Sequence, residues 1–566
     1  MTGSEALIQA LIREGVDTIF GYPGGAIMPV FDSLYDYKKE VNHVLVRHEQ
    51  GAAHAAQGYA RTSGKVGVAL VTSGPGITNT VTGIADAMLD STPLVVISGQ
   101  VASSLLGSDA FQEADVVGIT QPICKWAVQV RQAEDIGKII SRAFYIANSG
   151  RKGPVVVDIT KDAQFGLIDS FDYKKTNFIR SYQPYPEIRE HEVAAAAEII
   201  NAAKKPLVLL GQGVVLGGAE KEFIEFIEKT GIPTASTVLG LSAIPSDHPL
   251  NVGMLGMHGN VAPNMKTNEC DVLIAIGMRF DDRVTGDLNT YAKQAKVIHL
   301  DIDPSEINKN VPVTARVLGD VKESLPQLTK LVNENSHADW RESFRKYDKL
   351  EYDSVINEEL YPVSGMLKMG EVINKISEAT HHEAVLVTDV GQHQMMAMRY
   401  FKFREKSRSV VTSGGLGTMG FGLPAAIGAK YGAPDRTVCL FVGDGGIQMT
   451  IQEFGTIMQS GIDIKIIILN NHFLGMVRQW QELFFDERYS ETVMKNPNFV
   501  QIAEAYDIKA RKISKREDLD EAIKEMIDYK GSYLLDIDVE TKGMVYPMIP
   551  AGTCVTNILL SNQETV

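Results

Sequence analysis

Two strand-like apolar runs end in residues able to hold a charged group. "TVCLFVGDGG" closes on Gly443-Asp444-Gly445-Gly446, and "IKIIILNN" closes on Asn470-Asn471. Glycines let backbone amides approach phosphate oxygens closely. An Asp carboxylate and an Asn side-chain carbonyl are hard oxygen donors suited to magnesium, whose octahedron diphosphate oxygens would complete. The plain alternative is a pair of glycine turns with a polar cap. Against it, two successive strand ends match in register.

Far upstream, "VRHEQGAAHAA" (46–56) places Glu49 after the apolar "HVLV" and at the start of an alanine-rich helix. As an ordinary helix-start acid it would gain ~0.3–1 kcal/mol from the helix dipole. As a carboxylate among small residues at a sheet edge, it would face whatever comes close and be placed to do chemistry on it. Position alone favours the first reading; the phosphate-type site downstream favours the second. Gly415-Leu416-Gly417-Thr418-Met419-Gly420 fits G-x-G-x-x-G after the apolar "VVTS", and taken alone predicts a nicotinamide-binding unit and a dehydrogenase. That unit needs a lone acid after the next strand. Asp444 is instead wrapped by glycines, and an Asn pair follows it.

The elements that must position these residues are strands alternating with helices. The chain has 566 residues, too many for one core. Nearly continuous apolar runs mark strands buried on both faces of parallel sheets. They are "HVLV", "VGVALVT", "LVVIS" and "VVVDI" in a block at 1–165, "PLVLLG", "DVLIAIG" and "KVIHLDID" in a block at 191–325, and "AVLVTD", "TVCLFVGDG", "IKIIILNN" and "YLLDIDV" in a block at 365–545. A tail, 546–566, follows. The expected fold class is α/β, with three domains, each a central mostly parallel sheet flanked by helices. Ligands in such sheets bind beyond the carboxyl ends of the strands, where all these motifs fall.

The net charge of −15 argues against a general nucleic-acid role, which wants a basic face. No apolar run reaches the eighteen or so residues of a membrane span. The four cysteines show no metal-ligand spacing and read as reduced thiols. The amino terminus carries no signal or transit pattern, so a cytoplasmic protein is expected.

Gly-Asp-Gly followed at this interval by Asn-Asn resembles the diphosphate and magnesium motif of thiamine diphosphate enzymes. The resemblance implies that Asp444, Asn471 and the backbone carbonyl of Phe473 hold magnesium. It implies further cofactor contacts at Gly445, Gly446, Gly475 and Met476, and at Gly391, Gln392 and His393 in "TDVGQHQ". Gly417 joins them, and Met419 matches the apolar residue that props the cofactor into its bent shape. Glu49 matches the carboxylate that hydrogen-bonds the aminopyrimidine ring and favours its imino tautomer.

"FGYPGGAIMPVFDSL", "TSGPGITNTVTGIADA", "DAFQEADVVGIT", "RFDDRVTG", "GMVRQWQELFFDERYS" and "YPMIPAG" together resemble the biosynthetic, FAD-containing acetolactate synthase (acetohydroxyacid synthase) family over nearly the whole chain. That family decarboxylates pyruvate and joins the remaining two carbons to a second 2-ketoacid. Pyruvate gives 2-acetolactate and 2-ketobutyrate gives 2-aceto-2-hydroxybutyrate, on the way to valine, leucine and isoleucine. By this resemblance Gly25 offers a backbone amide beside the reacting centre. Phe111 and Gln112 lie near the second substrate, Lys161 guards the entrance, and Trp480 favours 2-ketobutyrate.

The 191–325 block is similar to the family's FAD domain. The implied contacts are Arg151, then Gly211 and Gly213 in "LLGQGV", Thr237 and Leu239 in "TVLG", and Gly256, Met257 and His258 in "LGMHG". Gly277, Arg279, Asp281 and Arg283 in "GMRFDDRV" follow, and then Asp301, Ile302, Asp320 and Val321. The implied partners are a second copy of the chain, as a homodimer or dimer of dimers, and a small regulatory subunit. The competing readings are a pyruvate oxidase, in which flavin takes electrons, and a non-catalytic scaffold of the same fold.

Overall fold

The computed structural model describes residues 1–566. It holds three six-stranded sheets, and every strand pairing is parallel, so the expected mostly parallel sheets are wholly so. The first contains β1 (Thr18–Gly21), β2 (Asn42–Leu45), β3 (Gly67–Val71), β4 (Leu94–Gln100), β5 (Trp126–Val130) and β6 (Pro154–Thr160). The central sheet contains β7 (Pro206–Leu210), β8 (Thr234–Ser236), β9 (Asn251–Met254), β10 (Val272–Ile276), β11 (Lys296–Asp301) and β12 (Ala315–Leu318). The third contains β13 (Val385–Thr388), β14 (Val410–Val411), β15 (Val438–Gly443), β16 (Lys465–Asn470), β17 (Lys509–Ile513) and β18 (Tyr533–Asp538). Strands such as β3 and β16 are buried at every residue, which is why they read as unbroken apolar runs.

The first and third sheets share one strand order. The first runs β2-β1-β3-β4-β6-β5 and the third β14-β13-β15-β16-β18-β17. The central sheet differs: from β9 to β12 it runs β9-β8-β7-β10-β11-β12, the 3-2-1-4-5-6 order of dinucleotide-binding sheets.

The helix Glu49–Ser63 forms because alanine is the best helix former. His48 caps its start, accepting from the Gln50 amide at 3.2 Å, and Gly64, at φ 76°, ends it. Small residues along this helix face the helix Gly422–Gly432 of the third sheet. A β-carbon at Gly58 would overlap the Ala425 carbonyl oxygen, and one at Gly428 would overlap that of Ala55. The reason is steric, since backbones this close leave no room for side chains. One apolar cluster therefore spans both sheets, with Ala55, Val71 and Val96 from the first and Ala425, Leu440 and Ile466 from the third. Gly428→Ala is expected to lower unfolding free energy by about 1–3 kcal/mol by overpacking, read from the urea midpoint.

Arg47, which had no role in the sequence, fastens the same junction. Its amide donates to both Glu453 carboxylate oxygens at 3.1 and 3.2 Å, and its guanidinium donates to the Gly455 carbonyl at 2.7 Å and to Gln459 at 2.8 Å. The tail returns to the central sheet. Ile549, Val555, Ile558 and Leu560 join a core with Leu207, Val261 and Leu273, and the Ile549 amide donates to the Met257 carbonyl at 2.8 Å.

Candidate functional site

The carboxyl edge of the first sheet gathers the acid and its neighbours around the turn at 72–79. Glu49 Oε2 accepts from Asn79 Nδ2 at 2.9 Å, and a β-carbon on Gly76 would sit 3.7 Å from Glu49 Oε1. Gly24 packs on Thr72, whose Oγ1 accepts from the Ala26 amide at 3.3 Å. Gly25 between them meets nothing within 4 Å of an added β-carbon, and its own amide has no acceptor within the chain. The Gln112 backbone lies against Gly74 with a φ of 60°, and Phe111 beside it is 88% exposed. Lys161 opens the short helix Lys161–Phe165, whose Gln164 donates to the Ala26 carbonyl at 2.8 Å.

The matching edge of the third sheet gathers the glycine turns. Helices Gln392–Tyr400, Asp444–Met449 and Gly475–Phe484 begin there, each just after a glycine or at one. β-carbons on Gly391 and Gly443 would both touch the His393 ring at 3.0 and 3.1 Å. One on Gly475 would lie 2.6 Å from Asn471 Nδ2, and one on Gly445 would lie 2.7 Å from Leu474 and 3.8 Å from the Met419 methyl. Side chains larger than hydrogen would fill this cradle. Burial drives the His393 imidazole down to about 4, so it is neutral, and its Nε2 is buried without a partner.

The donor set fits a hard cation. Asp444 is buried, burial pushes its carboxyl above the usual range, and its side-chain partner is the amide of Asn496 at 2.7 Å rather than a cation. A buried carboxylate without a countercharge is costly. Asn471 Oδ1 accepts only from the Phe473 amide at 3.1 Å, and the Phe473 carbonyl accepts no hydrogen bond. One carboxylate with two neutral oxygens suits magnesium shared with phosphate oxygens.

Three positioning residues escaped the sequence reading. Asn79 orients Glu49, and Asn496 orients both Asp444 and, at 3.0 Å, Asn470. Asp389, buried after β13, accepts from the amides of Val390, Gly420 and Gly422 at 2.8–3.1 Å and so fixes the loop bearing Met419. A lone Asp between an apolar strand and a glycine was its one signal. In the G-x-G-x-x-G run the Gly415 amide donates to the Asp90 carboxylate at 2.7 Å, as the preceding Gly414 amide does at 2.8 Å, and the Gly420 amide donates to Asp389.

A cavity of about 560 Å³ lies where the three sheets meet. Its wall contains Arg151, Gly213, Thr237, Leu239, Gly256, Met257, His258, Gly277, Arg279, Asp281, Arg283, Asp301, Ile302, Asp320 and Val321. Gly211 is the one residue of that expected set which does not line it. It packs beneath Gly277, where a β-carbon would overlap the Gly277 carbonyl oxygen. Gly417, Met476 and Trp480 of the third block also line this cavity. A β-carbon on Gly213 would lie 2.6 Å from the Gly277 α-carbon, and buried His258 keeps Nδ1 unpartnered. Glycine cradle, spare polar atom and volume fit a dinucleotide. Arg151 reaches across from the first block to pair with Asp303 at 3.1 Å and Glu306 at 2.7 Å.

Three family models match the chain. They are the thiamine pyrophosphate enzyme N-terminal binding domain over 1–119, the central domain over 193–328 and the C-terminal binding domain over 389–537. The acetolactate synthase large subunit of Haemophilus influenzae is 42% identical, covering 100% of this chain and 99% of that protein. The acetolactate synthase isozyme 2 large subunit of Escherichia coli is 43% identical over 99% of each, and the large subunit of Lactococcus lactis is 44% identical over 97% and 95%.

Proposed function

Because the chain belongs to the thiamine pyrophosphate enzymes, and among them to the acetolactate synthase large subunits, we propose that Glu49 and the Asp444 cluster form the two sides of its reaction centre. The chain is an enzyme of branched-chain amino acid synthesis that carries out a thiamine diphosphate-dependent condensation of pyruvate. The observation that carries the residue assignment is the convergence of three glycine-led helix starts on an uncompensated buried carboxylate, with Glu49 at the same edge of a sheet of the same order.

Bound thiamine diphosphate supplies the electron sink for decarboxylation. Asp444, Asn471 and the Phe473 carbonyl would hold magnesium, and the amides at Gln392, His393, Gly445 and Gly446 would receive diphosphate oxygens. Glu49, kept in place by Asn79, holds and returns a proton at the pyrimidine ring nitrogen. The free Gly25 amide donates to negative charge developing on the substrate oxygen. Lys161 attracts the substrate carboxylate, and Phe111 and Gln112 flank the acceptor. The flavin cavity would take FAD in a structural role, since the net reaction moves no electrons.

A homodimer is part of this reading, with a dimer of dimers as a further assembly. It is supported by the exposure of Phe111 beside the proposed acceptor position. The "large subunit" in the relatives' names supports a small regulatory partner. A cytoplasmic location is part of the same reading; no helix is long and apolar enough to cross a membrane.

Incubation with pyruvate, thiamine diphosphate, magnesium and FAD should yield 2-acetolactate, and added 2-ketobutyrate should yield 2-aceto-2-hydroxybutyrate. Dominant oxygen uptake would instead mark a pyruvate oxidase. Trp480→Leu is expected to reduce the 2-aceto-2-hydroxybutyrate share in mixed-substrate assays by about tenfold, a loss of one side-chain contact. An unchanged product ratio would remove Trp480 from the acceptor site.

A further inference from the structure

A buried charged cluster, absent from the chemistry above, holds a loop that serves two pockets. Asp86 and Asp90 flank the end of the helix Val81–Leu89, and Arg61 lies in the helix Glu49–Ser63; all three are buried. Arg61 donates to Asp90 at 2.8 Å and to the Thr412 carbonyl at 2.7 Å. Asp90 receives the Gly414 and Gly415 amides, one on each carboxylate oxygen. Asp86 accepts from the Ser413 hydroxyl and, at 3.2 Å, from Thr418. The first block thus grips residues 412–418 of the third block by charge-assisted bonds out of water, where such bonds are strongest and their loss most costly.

The gripped loop is a shared wall. On one side, a β-carbon on Gly415 would sit 2.9 Å from Arg279 Nη2 and 3.0 Å from Asp90, and one on Gly414 would sit 3.0 Å from Leu239. Both neighbours line the cavity proposed for FAD. A few residues on, Met419 reaches Gly445 at the diphosphate cradle, and the Gly420 amide is held by Asp389. A shift at the 414–415 amides therefore reaches both pockets.

We propose that Asp90, oriented by Arg61 and backed by Asp86, is a positioning residue that locks the 412–420 loop and couples the flavin cavity to the thiamine diphosphate pocket. The inference rests on the flavin reading given above. It gives a redox-neutral enzyme a reason to hold a flavin: each cofactor presses the loop into the form the other binds.

The test is a pair of binding titrations on the full chain, FAD with and without thiamine diphosphate and magnesium, and the reverse. In the unaltered protein each cofactor should tighten the other about fivefold or more, by the same factor in both directions. Asp90→Asn turns an amide N–H toward the Gly414 and Gly415 donors, and should bring that factor to about one. Ser413→Ala removes only the hydroxyl held by Asp86 and should give an intermediate factor; it decides the matter if the Asp90 variant does not fold. A simple loss of stability would lower the melting temperature and leave the factor intact. Tight binding of both cofactors with a factor of one, or with a factor unmoved in the variants, overturns the clamp alone. A chain that binds thiamine diphosphate but takes up no FAD, with or without thiamine diphosphate present, overturns the flavin reading and the clamp with it.

Discussion

Glu49→Gln leaves a folded protein whose turnover falls by about 10²–10⁴-fold, the range for losing a positioned proton-transfer group. The substitution keeps size and shape, and the glutamine carbonyl still accepts from Asn79, so the turn at 72–79 has no reason to move. What disappears is the ability to take up and return a proton. Cofactor affinity should change far less than turnover, because the diphosphate cradle belongs to the other sheet. The measurements are 2-acetolactate formation, thiamine diphosphate binding and the melting curve. Near-normal turnover would return Glu49 to the status of a helix-start acid.

Asp444→Ala is expected to weaken thiamine diphosphate and magnesium binding by about a hundredfold or more, since even outer contacts to a metal site cost 10–100-fold. The same change should leave the cofactor-free protein as stable as before, or more so. Burial raises the folded-state pKa of Asp444, so its charge opposes folding. For a raised pKa the stabilising contribution is present at low pH and is lost as pH rises through the folded value; the alanine variant should lose that component. Cofactor-induced stabilisation, which follows from binding to the folded state, should shrink in parallel. Retained affinity with lowered apo stability would make Asp444 a structural residue.

The long buried strands and the glycine turns were legible because each is local. β3 and β16 announce themselves by unbroken apolar runs, and Gly443–Gly446 by spacing within a few residues. Short strands were not legible. β8 has three residues and β14 two, too few to show a period, and the edge strand β17 is mostly charged with only Ile513 fully buried. The shared strand order of the first and third sheets is a property of pairing, which no single segment encodes. Long-range partners were hidden for the same reason: Asp90 and Gly415 lie 325 positions apart, and Arg47 and Gly455 lie 408 apart. Glycine and alanine after Glu49 do signal close approach, but composition cannot say whether a ring or a helix approaches.

The return of the tail to the central core has a consequence for how the chain is made. Ile549–Leu560 complete a core whose other members are encoded before residue 345. A ribosome adds ~5–20 residues per second, so the central sheet waits roughly ten to forty seconds between its own emergence and its last core residues. During that interval Leu207, Val261 and Leu273 lack their apolar cover, while the first sheet already has all its strands. The nascent chain is therefore most in need of a chaperone in its middle, and a chain cut before residue 549 would leave the central sheet uncovered rather than the first or third.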